Sequence, residues 1–307
     1  MPARLVQARC EGPPQRRRAP LPRGAAVRIS WLGQAGFVLD GPASRIVIDP
    51  YLSDSLAEKY RGTRFPHARM MPPPIEASQL RDVDWILSTH AHTDHLDPGT
   101  LPQLAAANPQ ARFLVNRASC YTAVERGVPE DRLVLCNAGE VLELGSGDTA
   151  VGVTVTPAAH EARERDDRGD DRYVGYVLDF GKATVYHSGD TVPLDALDAH
   201  LSLLRIDCAL LPVNGRDEAR RADGVPGNLT LDEAVDLVLR HKVPILIGHH
   251  FDLFDFNTID RAWGEQRLRE RTKGADRDWV LAATGLCYHI EAAYSLGRGD
   301  ANADDRV

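Results

Sequence analysis

The 307 residues, 43% apolar and 26% charged, suffice for a large core and have the balance of an ordinary globular chain. No apolar run approaches the length needed to span a bilayer, which argues against a membrane protein. The net charge is −8, and taking away the +5 carried by residues 1–24 leaves −13 on the rest, a field that repels a polyphosphate backbone and argues against a nucleic-acid partner.

Residues 1–24 hold six arginines, one glutamate and many prolines, and read as a disordered leader. The apolar segment of a secretory signal does not follow them. A single domain is expected over 25–295, with a flexible tail over 296–307. Cys10, Cys120, Cys136, Cys208 and Cys287 are scattered, odd in number and without a C-x-x-C pair. That argues against a disulfide framework or a thiolate zinc knot and fits a reducing cytoplasm.

In chain order, Val27 to Asp40 alternates as a strand, Gly41-Pro42 breaks it, and "RIVID" follows as the second arm of a hairpin ending in Asp49. After a proline-rich loop comes the buried strand "VDWILST", then the segment "HAHTDHLD" and a helix through "LPQLAAAN". Strands "RFLVN", "RLVLC", "EVLEL" and "AVGVTVTPAAH" complete the first half. The second half has two strands in "RYVGYVLDFGKATVYHSGD", a buried strand "IDCALLPVNG", and a helix from Thr230 to Lys242. That helix opens on a T-x-x-E box, Thr230 and Glu233, with Leu231, Ala234, Val235, Val238 and Leu239 on one face. Strand "ILIGHH", a charged helix from about Thr258 to Lys273 and a last strand "WVLAATGLCYHIEA" follow. Strands in both halves, each followed by helices, predict an α/β four-layer αββα sandwich.

The densest chemistry lies in "STHAHTDHLD", directly after an apolar strand. In an extended segment His90 and His92 project to one side and can grip one metal ion. Asp94 and His95 follow too closely to join the same tetrahedron, yet can hold a second ion a few ångströms away.

H-x-H-x-D-H after an apolar strand resembles the signature of the metallo-β-lactamase superfamily. Further segments match its ordered set: "IDP" with Asp49, "TPAAHE" with His160, "YHSGDT" with Asp190, and "ILIGHH" with a last histidine. The similarity runs over about residues 26–290 and looks closest to the L-ascorbate-6-phosphate lactonase-like branch, through "WLGQAGFVL", "RGVPEDR", "ALLPVNGRD" and "GNLTLDEAVDLV". The resemblance implies one metal on His90, His92 and His160, and a second on Asp94, His95 and His249, with Asp190 bridging. His249 is taken as the last ligand because it comes first after the strand, with His250 as its rival. Asp49, His187 and His250 are expected to support these ligands.

Two divalent ions lower the pKa of a water between them from about 15.7 toward roughly 7, making it a nucleophile near neutral pH. They outweigh Asp94, Asp190 and an ionised water, so the site stays positive within an acidic chain and favours an anionic substrate. A small lactone or ester is expected, with Asp94 or a metal-bound water returning the proton. Imidazole and carboxylate donors with no thiolate suit zinc, manganese or iron, and the resemblance favours zinc or manganese. Asn214, Arg216 and Asn228 in the polar loop after "ALLP" are candidate substrate contacts, Arg216 as a fork for an anion. His67, His200, His241 and His289 have no motif around them and are expected to be structural. The branch resemblance is compatible with a homo-oligomer. Two other functions are weighed: a metal-dependent phosphodiesterase or nuclease of the same fold, and a non-catalytic metal-binding member, which missing ligands would signal.

Overall fold

The computed structural model describes residues 2–16, 20–147, 150–274 and 276–292. Strands β1 (Arg4–Arg9), β2 (Ala25–Gly33), β3 (Gly36–Asp40), β4 (Arg45–Ile48), β5 (Trp85–Ser88), β6 (Arg112–Asn116) and β7 (Leu133–Cys136) lie in one sheet. Then β8 (Val141–Leu144), β9 (Val151–Pro157), β10 (Val174–Asp179), β11 (Thr184–His187), β12 (Cys208–Pro212), β13 (Ile245–His249) and β14 (Asp278–Leu281) build a second. The last strand among the described residues, β15 (Leu286–Glu291), returns to the first sheet, whose order is β1-β15-β2-β3-β4-β5-β6-β7. Strands β4 to β7 are mutually parallel, and so are β11 to β14.

The period of two in these strands sorts their side chains into layers. In β3 to β6, Phe37, Leu39, Ile46, Ile48, Leu87 and Leu114 join the core that also holds Val153, Val155, Tyr176 and Leu178 of the second sheet. Their neighbours Val38, Val47, Ile86, Phe113 and Val115 face the other way, onto Leu101, Leu104 and Ala105 of helix α1 (Leu101–Ala107). Helix α2 (Leu231–Arg240) covers the second sheet with Leu231, Ala234, Val235, Leu237 and Val238. Burying each Leu, Ile, Val or Phe in this way contributes about 1.5–3 kcal/mol. The four-layer αββα arrangement is therefore the one expected. The capping box at Thr230 and Glu233 is formed, whereas Leu239 is exposed, and Leu237 takes the inward place.

Four expectations need correction. The stretch Val27 to Asp40 is two strands, because Gly33 and Gln34 adopt positive φ and turn the chain back. The final run is also two strands in different sheets, broken at 282–285 by Gly285 with φ 77°. The leader is partly built into the fold: β1 pairs antiparallel with β15, and fully buried Arg45 donates to the carbonyls of Pro14 and Arg16. Finally, Cys10 and Cys287 form a disulfide across 277 residues, so the cysteine argument for a reducing compartment does not hold. The expected tail, 296–307, lies outside the described residues. Among those described, no helix is long and apolar enough to cross a membrane.

Candidate metal centre

The C-terminal ends of both parallel blocks meet at one point, where open α/β sheets commonly bind ligands. Asp49 follows β4, and the segment His90 to His95 follows β5. From the other sheet come His160 after β9, Asp190 after β11 and His250 after β13. Gly189 lets the second sheet approach: it sits at φ 61°, and a Cβ there would lie 2.9 Å from that of Thr89. That contact sets Asp190 against the histidine segment.

Asp190 is the hub. Its Oδ2 lies 3.0 Å from His160 Nε2, 3.1 Å from His250 Nε2 and 3.3 Å from His95 Nε2. On the other side, His90 Nε2 and His92 Nδ1 face each other at 2.9 Å. Several of these imidazoles are oriented from behind. Asp49 accepts from His95 Nδ1 at 2.7 Å and from the Thr89 amide and hydroxyl, and His160 Nδ1 donates to the Gly227 carbonyl at 2.7 Å. The free nitrogens of His95 and His160 are thereby turned toward Asp190.

Electrostatics divides the cluster. Burial holds His90 well below the usual imidazole range, reinforced by the neighbouring His95 and His92. His92 is pushed down to about 4 by burial and by His160. Both are therefore neutral at pH 7, the state that ligates metals. His95 and His250 move the other way: burial opposes their charge, but Asp190 and its neighbours prevail, and His250 is pushed up to about 9. Asp94 and Asp190 are held low by these imidazoles despite burial.

The donor set fits divalent cations. His90, His92 and His160 form one group, Asp94, His95 and His250 a second, and His90, His95 and Asp190 a third that joins them, the ligand atoms of each lying within 4.8 Å of one another. His95 Nε2 and Asp190 Oδ1 are buried without a hydrogen-bond partner, a costly arrangement that a cation would relieve.

The expected ligand His249 is replaced by His250. His249 ends β13 with its ring stacked on His187 at 5.2 Å and edge-on to Phe37, while His250 turns at φ 65° into the cluster. His187 supports the site indirectly, accepting from the Gly189 amide and donating to the Ala35 carbonyl. Asn214, Arg216 and Asn228 do not line the cavity over the cluster. Arg216 is held bidentately by Glu233 at 2.7 Å, and Asn214 and Asn228 are buried, bonded to each other, with Asn214 also bonded to Asn257.

Three contributors were not foreseen. Gln34 donates to Asp94 at 2.9 Å and lies 3.2 Å from His250 Nε2. Its backbone carbonyl accepts from the His250 amide. The one signal for it is a polar residue between small ones in "LGQAG". The Tyr173 ring lies 5.2–5.8 Å from those of His90, His92 and His160 with no motif to mark it. His67, expected to be structural, lines the cavity.

A two-sheet sandwich with histidines and aspartates gathered where both sheets end is the metallo-β-lactamase fold. The family described as "Beta-lactamase superfamily domain" matches residues 44–251, and the chain belongs to it. A UPF0173 metal-dependent hydrolase of Pyrobaculum neutrophilum is 30% identical over 187 residues, 61% of this chain and 72% of that protein. Its counterpart in Archaeoglobus fulgidus is 26% identical over 272 residues, 86% of this chain and 99% of that one. Igni18, a metallo hydrolase from Ignicoccus hospitalis, superposes with a TM-score of 0.60 at 20% identity, over 85% of this chain and 97% of its own. An isothiocyanate hydrolase from Delia radicum gut bacteria does so with a TM-score of 0.63 at 20% identity, over 85% and 98%. These two likenesses bear on the fold alone. The protein is thus a metal-dependent hydrolase of the β-lactamase superfamily.

Proposed function

We propose that this hydrolase works with two divalent ions, zinc or manganese, on a small lactone or ester that carries negative charge. The observation that supports two ions is the division of the donors around one carboxylate: His90, His92 and His160 to one side of Asp190, and Asp94, His95 and His250 to the other. Bound there, divalent ions supply Lewis acidity toward a carbonyl oxygen and lower the pKa of a coordinated water toward neutrality.

The chain's own residues do the rest. Asp49 and the Gly227 carbonyl keep His95 and His160 in one tautomer each, so that neither ring has to reorient during turnover. Gln34 holds the Asp94 carboxylate at the cavity floor, where it can carry a proton from the attacking water to the leaving oxygen. A cavity of about 480 Å³ matches a small molecule better than a polymer.

The test is an assay of purified protein on sugar lactones, a sugar-phosphate lactone and a chromogenic phosphodiester, with and without chelator, beside a count of bound metal. Lactone turnover abolished by chelator, with two ions per chain, is the expected result. Turnover of the phosphodiester alone would move the reading to a phosphodiesterase, and a single ion per active chain would remove the two-ion part.

A further inference from the structure

Besides the metal-binding residues, the same cavity is lined by Tyr60, Phe65, His67 and Phe254. Two segments far apart in sequence supply them, and Phe256 joins them: Phe65 stacks on Phe256 at 4.5 Å, Tyr60 on His67 at 4.3 Å, and His67 meets Phe254 and Phe256 edge-on. Ring-to-ring packing thus joins into one wall two segments that a backbone hydrogen bond from Met70 to the Leu253 carbonyl, at 2.8 Å, also ties together.

We propose that this wall selects substrates presenting a planar aromatic group beside the bond to be cleaved; the inference rests on the hydrolase reading and specifies its substrate class. Tyr60 has His67 stacked on it and the Lys59 ammonium over its ring at 5.0 Å, and Phe65 likewise has Phe256 and the Arg64 guanidinium at 5.3 Å. A stacked ring and a cation cannot share one face, so both faces of each ring are used and ring edges remain for the cavity. Ring edges carry the positive end of the aromatic quadrupole, and a cation over the face strengthens that polarity. Such edges attract the electron-rich face of a flat aromatic guest in the T-shaped geometry that His67 and Phe254 already adopt at 68°. A saturated ring of the same size fills the same space without that attraction.

His67 does not disturb the wall with charge. Its Nδ1 lies 2.6 Å from the Phe65 carbonyl, to which it donates, and burial holds the ring below the ordinary imidazole range. The cavity's 480 Å³ leaves room for one aromatic ring, the scissile group and a modest leaving group.

The experiment compares phenylacetate with cyclohexylacetate as ligands of the metal-loaded protein by calorimetry, and the esters of the two acids with glycolate, which keep a negative charge, as substrates. Phenylacetate should bind about three- to tenfold more tightly. Tyr60→Leu and Phe65→Leu should each erase most of that preference, whereas Tyr60→Phe and Phe65→Tyr should keep it, and thermal melts verify that each variant is folded. Equal affinity of the two acids, no binding of phenylacetate at millimolar concentration, or a preference that survives both leucine variants would overturn the proposal. If the preference is present in binding but neither ester is turned over, the ester part of the proposed function fails and the aromatic selectivity stands.

Discussion

His250 Nε2 lies 3.1 Å from Asp190 Oδ2, while its neighbour His249 faces the interior against His187. Adjacent residues of one type therefore have separable duties. His250→Ala should lower metal content and reduce turnover by at least about 100-fold, the scale of losing a group that acts on the reacting centre. His249→Ala should retain metal but lose about 2–4 kcal/mol of stability, because it opens a cavity in a fully buried layer. Elemental analysis and urea unfolding of the two variants distinguish these duties.

Asp49 touches no substrate-accessible surface, yet its carboxylate accepts from His95 and from Thr89. Asp49→Asn cannot hold His95 in the same way and should weaken metal binding by about 10–100-fold with the fold retained. Competition against a chromogenic chelator measures this.

Glu233 caps helix α2 through Thr230 and pairs with Arg216. Burial opposes its charge, but the hydrogen bonds from Arg216 and Thr230 outweigh it and hold the carboxyl below its ordinary value of 4.5. A depressed folded pKa means that the stabilisation is complete above pH 4.5 and disappears as the pH falls through the lower folded value. Glu233→Gln should therefore cost about 1 kcal/mol at pH 7 and progressively less in acid. Urea titrations across that range test the sign.

The disulfide Cys10–Cys287 fastens the edge strand β1 to β15. Cys10→Ser, or reduction with dithiothreitol, should lower stability by about 2–4 kcal/mol and leave metal content unchanged, since neither cysteine is near a proposed ligand in sequence or hydrogen bonding. Paired melts under oxidising and reducing conditions provide the measurement.

Features built from local spacing are legible in the sequence. The H-x-H-x-D-H segment carries four proposed ligands within six residues, and the capping box of α2 is likewise local. Ordered motifs then brought in Asp49, His160 and Asp190. Choosing between His249 and His250 depends on where β13 ends and on a left-handed backbone just after it, which no periodicity encodes. The cysteine pair joins opposite ends of the chain, so composition offered nothing to connect them. Arg216 illustrates the converse: a fork of donors in a polar loop suggests an anion site, but Glu233 in the next helix already satisfies it. The aromatic wall lies on irregular loops, where rings drawn together by tertiary packing leave no repeating pattern.

Gln34, Asp49 and His250 all hold positive φ, at 49°, 45° and 65°, and all three meet around the same ligands. For residues with a Cβ this conformation is unfavourable, and it persists because surrounding bonds impose it. Glycine would relieve that strain, but all three side chains are buried, so it would also open a cavity and leave their partners unsatisfied, a larger cost. Strain and burial are thus borne by the same three side chains, so descendants selected for heat resistance alone should keep them and, with them, the architecture of the site.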